Sequence, residues 1–422
     1  MRAATVALLL LVPVAAAQEI IIDVDAPSED PEPAIFHMPY AFYSATWELA
    51  FGYAAVATGQ LQDQLSLFAN AIVSTNETRE LQVGMYGAQI PGTDRVFGDG
   101  FLSLGTYTEL RAYIGEEDGT RSGSNESGQD NFVQDTAVQI WGEARFRFIL
   151  PLGPGRAEPI QTYRLRRGIL EGPGTGGKVW NPLTSGRTSI GLRPFYRRQE
   201  FDLAAEGGKL ATNGLAYSLE YDNRDFPRNP SYGSRQVLTF WQDFGALDST
   251  TSWTSLEFQA SKYIDLGETS WARQQVIAIG GWTADSPSWS DDANGAGAPE
   301  NAPPYFMGAT LGGRSRLRAY PANRFNDRAG VHYWAEYRMI PGWQPLPSVS
   351  ELDVARIDWW QIVFFAELGR VAPAWSFEQL HEDMKWDVGA SLRIFARKAL
   401  VRIDFAVGPE EWAVLIDLSH PF

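Results

Sequence analysis

Apolar and polar residues alternate with a period of two along most of this chain. The runs are about ten residues long and are separated by Gly, Pro, Asn, Asp or Ser. From Leu215, the residues Leu215, Tyr217, Leu219 and Tyr221 fall on one side, and Ala216, Ser218, Glu220 and Asp222 on the other. From Val138, the set Val138, Ile140, Ala144, Phe146 and Phe148 opposes Gln139, Glu143, Arg145 and Arg147. Runs near 102–113, 254–262, 331–339, 386–394 and 401–407 behave alike. Period two places successive side chains on opposite faces of a sheet. Globular strands average about five or six residues, whereas runs of about ten to twelve match a tilted membrane crossing. Glu, Arg, Asp and Gln recur mid-strand on the polar face. They suit a wet lumen in which opposite charges pair, with the apolar face turned to lipid. No continuous helical stripe is present to cover a sheet.

Sixteen such strands are read, beginning near Thr46, Gln64, Leu81, Leu102, Ala137, Ile160, Thr188, Leu215, Gln236, Ser255, Gln274, Val331, Trp359, Lys385, Leu400 and Trp412. An even number returns both termini to the periplasmic side, and closure leaves no unpaired strand edge in hydrocarbon. The expected fold is therefore all-β: a sixteen-stranded antiparallel transmembrane barrel over residues 41–422. Residues 18–40, Pro-rich and acidic after Ile20-Ile21-Ile22, are read as a periplasmic tail.

The first seventeen residues set the compartment. Arg2 supplies a positive start, Ala3 to Val14 an apolar stretch, and Ala15-Ala16-Ala17 a small-residue cleavage site between Ala17 and Gln18. That is the layout of a secretory signal peptide, too short to span a membrane as a helix. No later segment offers a run of apolar residues long enough for a membrane helix. The absence of cysteine excludes disulfide-stapled folds and thiolate sites. A net charge of −16 repels nucleic acid. The 15 Trp, 16 Tyr and 23 Phe fit the aromatic girdles of a membrane barrel. His37, His332, His381 and His420 lack metal-ligand spacing, and Gly172 to Lys178 imitates a phosphate loop without the required Ser/Thr or a following helix. No catalytic residue, cofactor or metal is expected.

One connection, residues 285–330, is far longer than the rest. It contains Leu311-Gly312-Gly313-Arg314-Ser315-Arg316-Leu317-Arg318-Ala319-Tyr320. Loops of this length are functional or disordered, and the density of Arg and aromatic residues favours function. By strand parity, Glu336 and Glu367 face the lumen. An inward-folded loop would let Arg318 bridge both carboxylates through charge-assisted hydrogen bonds.

Here the sequence resembles the BamA/TamA superfamily, or bacterial surface antigen family, of outer-membrane proteins. That family's sixteen-stranded barrel folds a long loop between strands eleven and twelve into its lumen. The loop carries a Val/Leu-Arg-Gly-Phe/Tyr motif, matched here by Leu317-Arg318-Ala319-Tyr320. Tyr221-Asp222-Asn223-Arg224-Asp225-Phe226-Pro227, continuing to Pro230 and Gly233, is similar to the family's turn motif. Phe364 to Gly369 is similar to its acidic strand thirteen, and Trp412 to Phe422 to its closing strand. The resemblance covers most of 210–422, and the earlier half matches only in pattern.

Two departures stand out. Ala319 replaces the motif's glycine, and residues 18–40 are too few for even one periplasmic polypeptide-transport-associated domain. The resemblance thus points to a barrel-only branch. It implies a non-enzymatic protein integral to the bacterial outer membrane, assisting assembly or translocation of protein or lipid through a seam. The implied surroundings are outer-membrane lipid, the barrel-assembly machinery that reads terminal Phe422, and a periplasmic partner not identified by sequence. A passive or gated solute channel, and a soluble secreted β-rich enzyme, are the alternative readings.

Overall fold

A computed structural model of the chain shows what the alternation builds. It describes residues 6–7, 20–24, 33–44, 47–172, 174, 176–202, 208–290, 299–344, 357–396 and 399–417. The wall is a sheet of sixteen antiparallel strands. They are β1 (Ala34–Ser44), β2 (Glu48–Thr58), β3 (Ser66–Ser74), β4 (Arg79–Gln89), β5 (Val96–Ala112), β6 (Val133–Ile149), β7 (Arg187–Phe201) and β8 (Lys209–Asp222). The second half comprises β9 (Gly233–Asp243), β10 (Trp253–Asp265), β11 (Ala272–Asp285), β12 (Ala329–Pro341), β13 (Ile357–Ala372), β14 (Lys385–Ala396), β15 (Ala399–Val407) and β16 (Trp412–Asp417).

Each strand pairs with the next in chain order. The two ends of this meander meet. Ile416 of β16 packs with Tyr40 of β1 against a cluster of Trp47, Ala50, Ile72 and Tyr107. Val6–Ala7 lies parallel on the edge of β16 that faces β1, with Val6 opposite Val414 and Ala7 opposite Leu415.

Burial follows parity. On β8, Tyr217 and Leu219 are 43% and 49% exposed, and Ala216 between β8's neighbours is buried. On β6, Val138, Phe146 and Phe148 point out while Gln139, Arg145 and Arg147 are buried. In water an exposed Leu or Phe forgoes about 1.5–3 kcal/mol of burial, so an apolar band around the whole wall requires lipid as its solvent. Exposed aromatics mark both rims: Trp180, Trp271 and Trp343 at the end where β1 starts and β16 ends, here the termini side, and Trp375, Phe377 and Trp412 at the other.

Two sequence-based expectations are corrected. β1 begins at Ala34, so the barrel includes residues 34–40, which the polarity pattern assigned to a tail. Pro39, one of the prolines of that Pro-rich stretch, sits within β1 opposite Tyr53 of β2, and proline is tolerated on a strand whose other edge lacks a regular ladder. The strand expected near Ile160 exists as Gln161–Arg166 but is not part of the wall. It alternates buried and exposed residues as a wall strand does, and period two cannot say which sheet a strand joins. The two errors cancel in the count.

The lumen is entered from both ends. Between β11 and β12 the chain folds inward, with a short antiparallel pair, Ala309–Leu311 and Phe325–Asp327, at its base. At the end where β1 starts and β16 ends, the connection from β6 to β7 places Gln161–Arg166 against the wall. There it pairs with Ile169–Leu170 on one edge and with Ile20–Val24 on the other. Residues Ala17, Gln18 and Phe422, where the cleavage site and the assembly signal were expected, lie outside the described residues.

Candidate functional site in the barrel lumen

Five neighbouring strands each turn a carboxylate inward: Glu336 on β12, Glu367 on β13, Asp387 on β14, Asp404 on β15 and Asp417 on β16. This acidic row faces the loop that carries Arg314, Arg316, Arg318 and Arg324. Arg318 is fully buried. Its Nε donates to Glu367 Oε1 at 3.0 Å, its Nη1 to Asp404 Oδ2 at 3.1 Å, and its Nη2 to Glu336 Oε1 at 3.2 Å. Its backbone N–H donates to Glu367 Oε2 at 2.9 Å, and its guanidinium lies 3.4 Å from the centre of the Phe365 ring. Burial opposes the charge, but the carboxylates of Glu367, Asp404 and Glu336 outweigh it and hold the Arg318 pKa above the ordinary arginine value.

The carboxylates are themselves shared. Glu336 also accepts from Arg338 at 2.8 Å and from Arg393 at 2.8 Å. Asp404 lies 3.4 Å from Arg402, which in turn reaches Asp417 at 3.2 Å. Glu367 and Asp387 stand directly opposite each other across β13 and β14, an arrangement that costs energy for like charges. The loop resolves it with successive backbone donors, Arg318 N–H to Glu367 and Ala319 N–H to Asp387 at 2.8 Å. Such a network is rigid because removing any one partner strands a buried charge.

The rest of the motif shapes the loop tip. Leu317 is buried and takes φ 53°, an uncommon conformation for a side chain of its size. Tyr320 N–H closes the turn on Leu317 O at 3.0 Å, and Tyr320 OH donates to Trp386 O at 3.3 Å. Ala319, in place of a glycine, is not at positive φ. Its methyl group instead meets the facing turn between β15 and β16, where a Cβ built on Gly408 would lie 3.2 Å from it. The close approach is thus achieved with the missing side chain on the opposite surface.

Outside the tip, the loop is clamped to other connections. Arg324 donates to Glu410 at 2.8 Å and to Ser127 O at 2.6 Å. Arg121 pairs with Asp327 at 3.0 Å. The loop between β5 and β6 therefore covers the inserted segment on the side away from the termini.

The second motif lies at the opposite end. Asp222 and Arg224 form an ion pair at 2.6 Å. Asp225 accepts from the backbone N–H of Ser231 at 2.8 Å and of Tyr232 at 3.2 Å, and from the Ser231 hydroxyl. Pro227 is half-buried in the same turn. Gly233, at φ 99°, closes the turn where a Cβ would fall 2.2 Å from Asn223 O. Gly174 and Gly176 press against this turn so closely that a Cβ would lie 2.1 Å from Asp225 O and 2.3 Å from Asn223 O. The run that imitates a phosphate loop is glycine-rich because two backbones touch there.

The geometry brings Arg318 together with Glu336 and Glu367. Asp387, Asp404, Asp417, Arg338 and Arg393 were not singled out in the sequence, although the parity that picked Glu336 applies equally to them. Fold and site together define a transmembrane β-barrel of outer-membrane type with an arginine-anchored loop folded into its lumen. The Omp85 superfamily domain matches residues 184–411, more than half of the chain, and the chain belongs to that superfamily. No curated protein sequence matches it.

Among solved structures, CdiB from Escherichia coli is similar in fold, with a TM-score of 0.51 and 12% identity over 92% of this chain and 61% of that one. BamA from Haemophilus ducreyi lacking POTRA domains 1–3 gives 0.47 and 11% identity, covering 92% and 68%. CdiB from Acinetobacter baumannii gives 0.49 and 8%, covering 90% and 58%. This chain therefore spans about three fifths of the length of either CdiB chain.

Proposed function

We propose that this protein is integral to the bacterial outer membrane and assists the assembly or translocation of protein or lipid there, without catalytic chemistry of its own. Membership of the Omp85 superfamily supports outer-membrane assembly or translocation at the level of the superfamily. The observation that carries the finer reading is the anchoring of Arg318 to Glu336, Glu367 and Asp404. A loop held in the lumen by three buried ion pairs cannot swing aside without breaking them, which disfavours a freely gated solute path. The cargo route falls instead at the seam where β16 faces β1, beside the wall on which the loop is anchored. The barrel-assembly machinery would act on this chain during its own biogenesis, and a periplasmic partner would deliver cargo.

The test is reconstitution. Liposomes carrying the folded protein should accelerate insertion of an outer-membrane barrel client or transbilayer exchange of a labelled lipid, while planar bilayers show low conductance. Insertion and lipid exchange no faster than in protein-free liposomes, combined with steady high conductance that is insensitive to removal of residues 313–323, would replace this reading with a solute channel.

A further inference from the structure

The sheet at the termini-side mouth has an unusual construction. Gln161, Tyr163 and Leu165 are buried, and Tyr163 and Leu165 pack with Phe226, Ile340, Trp359, Phe395 and Leu400 of the wall and its turns. Trp359 Nε1 donates to Gly168 O at 2.7 Å, and Gly168 turns the hairpin at φ 70°. This strand is thus held by the barrel itself. One edge is covered by Ile169–Leu170. The other is filled by Ile20–Val24, from far away in sequence, in a parallel register that runs from Gln161 opposite Ile20 to Leu165 opposite Val24. A parallel ladder this short is weak compared with the fixed strand that receives it. The two segments differ in charge: Arg164, Arg166 and Arg167 lie on the receiving side, where Arg166 also pairs with Glu171 at 3.6 Å, and in the sequence Glu19, Asp23 and Asp25 flank or interrupt the aliphatic run. Arg164 stands opposite Asp23 in the register.

We propose that Gln161–Leu165 is a strand-accepting edge for an extended polypeptide with a short aliphatic run flanked by acidic residues, and that Ile20–Val24 is its resident, displaceable occupant. Main-chain hydrogen bonds would supply affinity and the arginines selectivity, as in other cases of recognition by strand addition. The proposal concerns an inner strand that packs on β13, β14 and β15 and not the β16–β1 seam itself, and stands whether or not the seam transports cargo.

A fluorescein-labelled peptide of residues 18–26 is the probe, added to the full-length folded protein in detergent. The chain has no cysteine, so Ile21→Cys with Thr162→Cys places a clean disulfide reporter on register partners. The oxidised form should block the edge. Reduction should restore the exchangeable native pairing and with it measurable peptide binding. Release of the segment by Ile21→Pro with Ile22→Pro should raise peptide affinity about 100-fold over the reduced form by removing an intramolecular competitor. A peptide carrying the same two prolines should not bind, because adjacent residues send their N–H groups to both sides of a strand. Failure of the disulfide to form in heat-modifiable, folded protein would overturn the pairing. Equal binding by oxidised and reduced forms, or by the proline-containing peptide, would overturn the site. Should the proline variant not fold, the cysteine pair alone decides.

Discussion

The Nη1 of Arg318 donates to the carboxylate of Asp404 across 3.1 Å, although the two residues are 86 positions apart in the chain. Through this contact, with those to Glu336 on β12 and Glu367 on β13, one loop side chain joins three wall strands. Arg318→Ala should therefore cost about 3–5 kcal/mol, because it leaves buried carboxylates without a counter-charge. Arg318→Lys should recover only part of that, since a single ammonium cannot reproduce the planar fork. Heat-modifiable gel migration and urea midpoints measure both. An unchanged folded fraction in Arg318→Ala would show that the anchor is not structural.

Glu367 and Asp387 oppose each other across adjacent strands, and Asp387 Oδ2 accepts the Ala319 N–H. Asp387→Asn keeps an acceptor at that position and removes the like-charge repulsion. It should leave stability within about 1 kcal/mol of the native chain, whereas Asp387→Ala, which strands the N–H, should lose about 1–3 kcal/mol. Equal loss in both variants, read from urea midpoints, would mean that the charge and not the acceptor matters.

Ala319 and Gly408 share one space. Gly408→Ala should push the two methyl groups together and cost about 1–3 kcal/mol, and adding Ala319→Gly should restore much of it. A double-mutant cycle on unfolding free energy should show a coupling of about 0.5–3 kcal/mol. Strict additivity would place the strain elsewhere.

Deleting Phe422 tests the end of the chain. On β16, Trp412, Val414 and Ile416 are more exposed than Ala413, Leu415 and Asp417, and in the sequence Phe422 has the parity of the exposed set. Its loss should lower the amount of folded barrel recovered from outer membranes while leaving refolding of purified protein into detergent unchanged. Equal recovery from membranes would show that the strand pattern suffices without the terminal aromatic.

The wall was legible because period-two polarity maps directly onto the two faces of a strand. Val138 and Arg145, or Leu219 and Glu220, declare their faces by type alone. The inner strand at Gln161–Arg166 obeys the same rule, and so passed for wall. β1 was partly hidden because Pro39 sits inside it. Glu336 and Glu367 could be picked by parity once Arg318 had drawn attention to that stretch. Asp387 and Asp404 carry the same local signal, but only the tertiary structure brings Ala319 and Arg318, respectively 68 and 86 positions away in the chain, against them.

What the sequence by itself determined was which side chains of most strands point to lipid and which to the lumen, and the succession of wall strands β2 to β6 and β7 to β16. The first strand and the inner strand at Gln161–Arg166 were assigned by the tertiary structure. The facing and the succession depend on local alternation and chain order. The tertiary structure alone decided which lumen charges meet. It seats Arg318 among Glu336, Glu367 and Asp404, places Gly408 under Ala319, and lays Ile20–Val24 beside Gln161–Leu165. The physical reason is range. The register of each ladder and the entry of a long loop are settled by pairings between residues tens to hundreds of positions apart, and no local pattern encodes such distances.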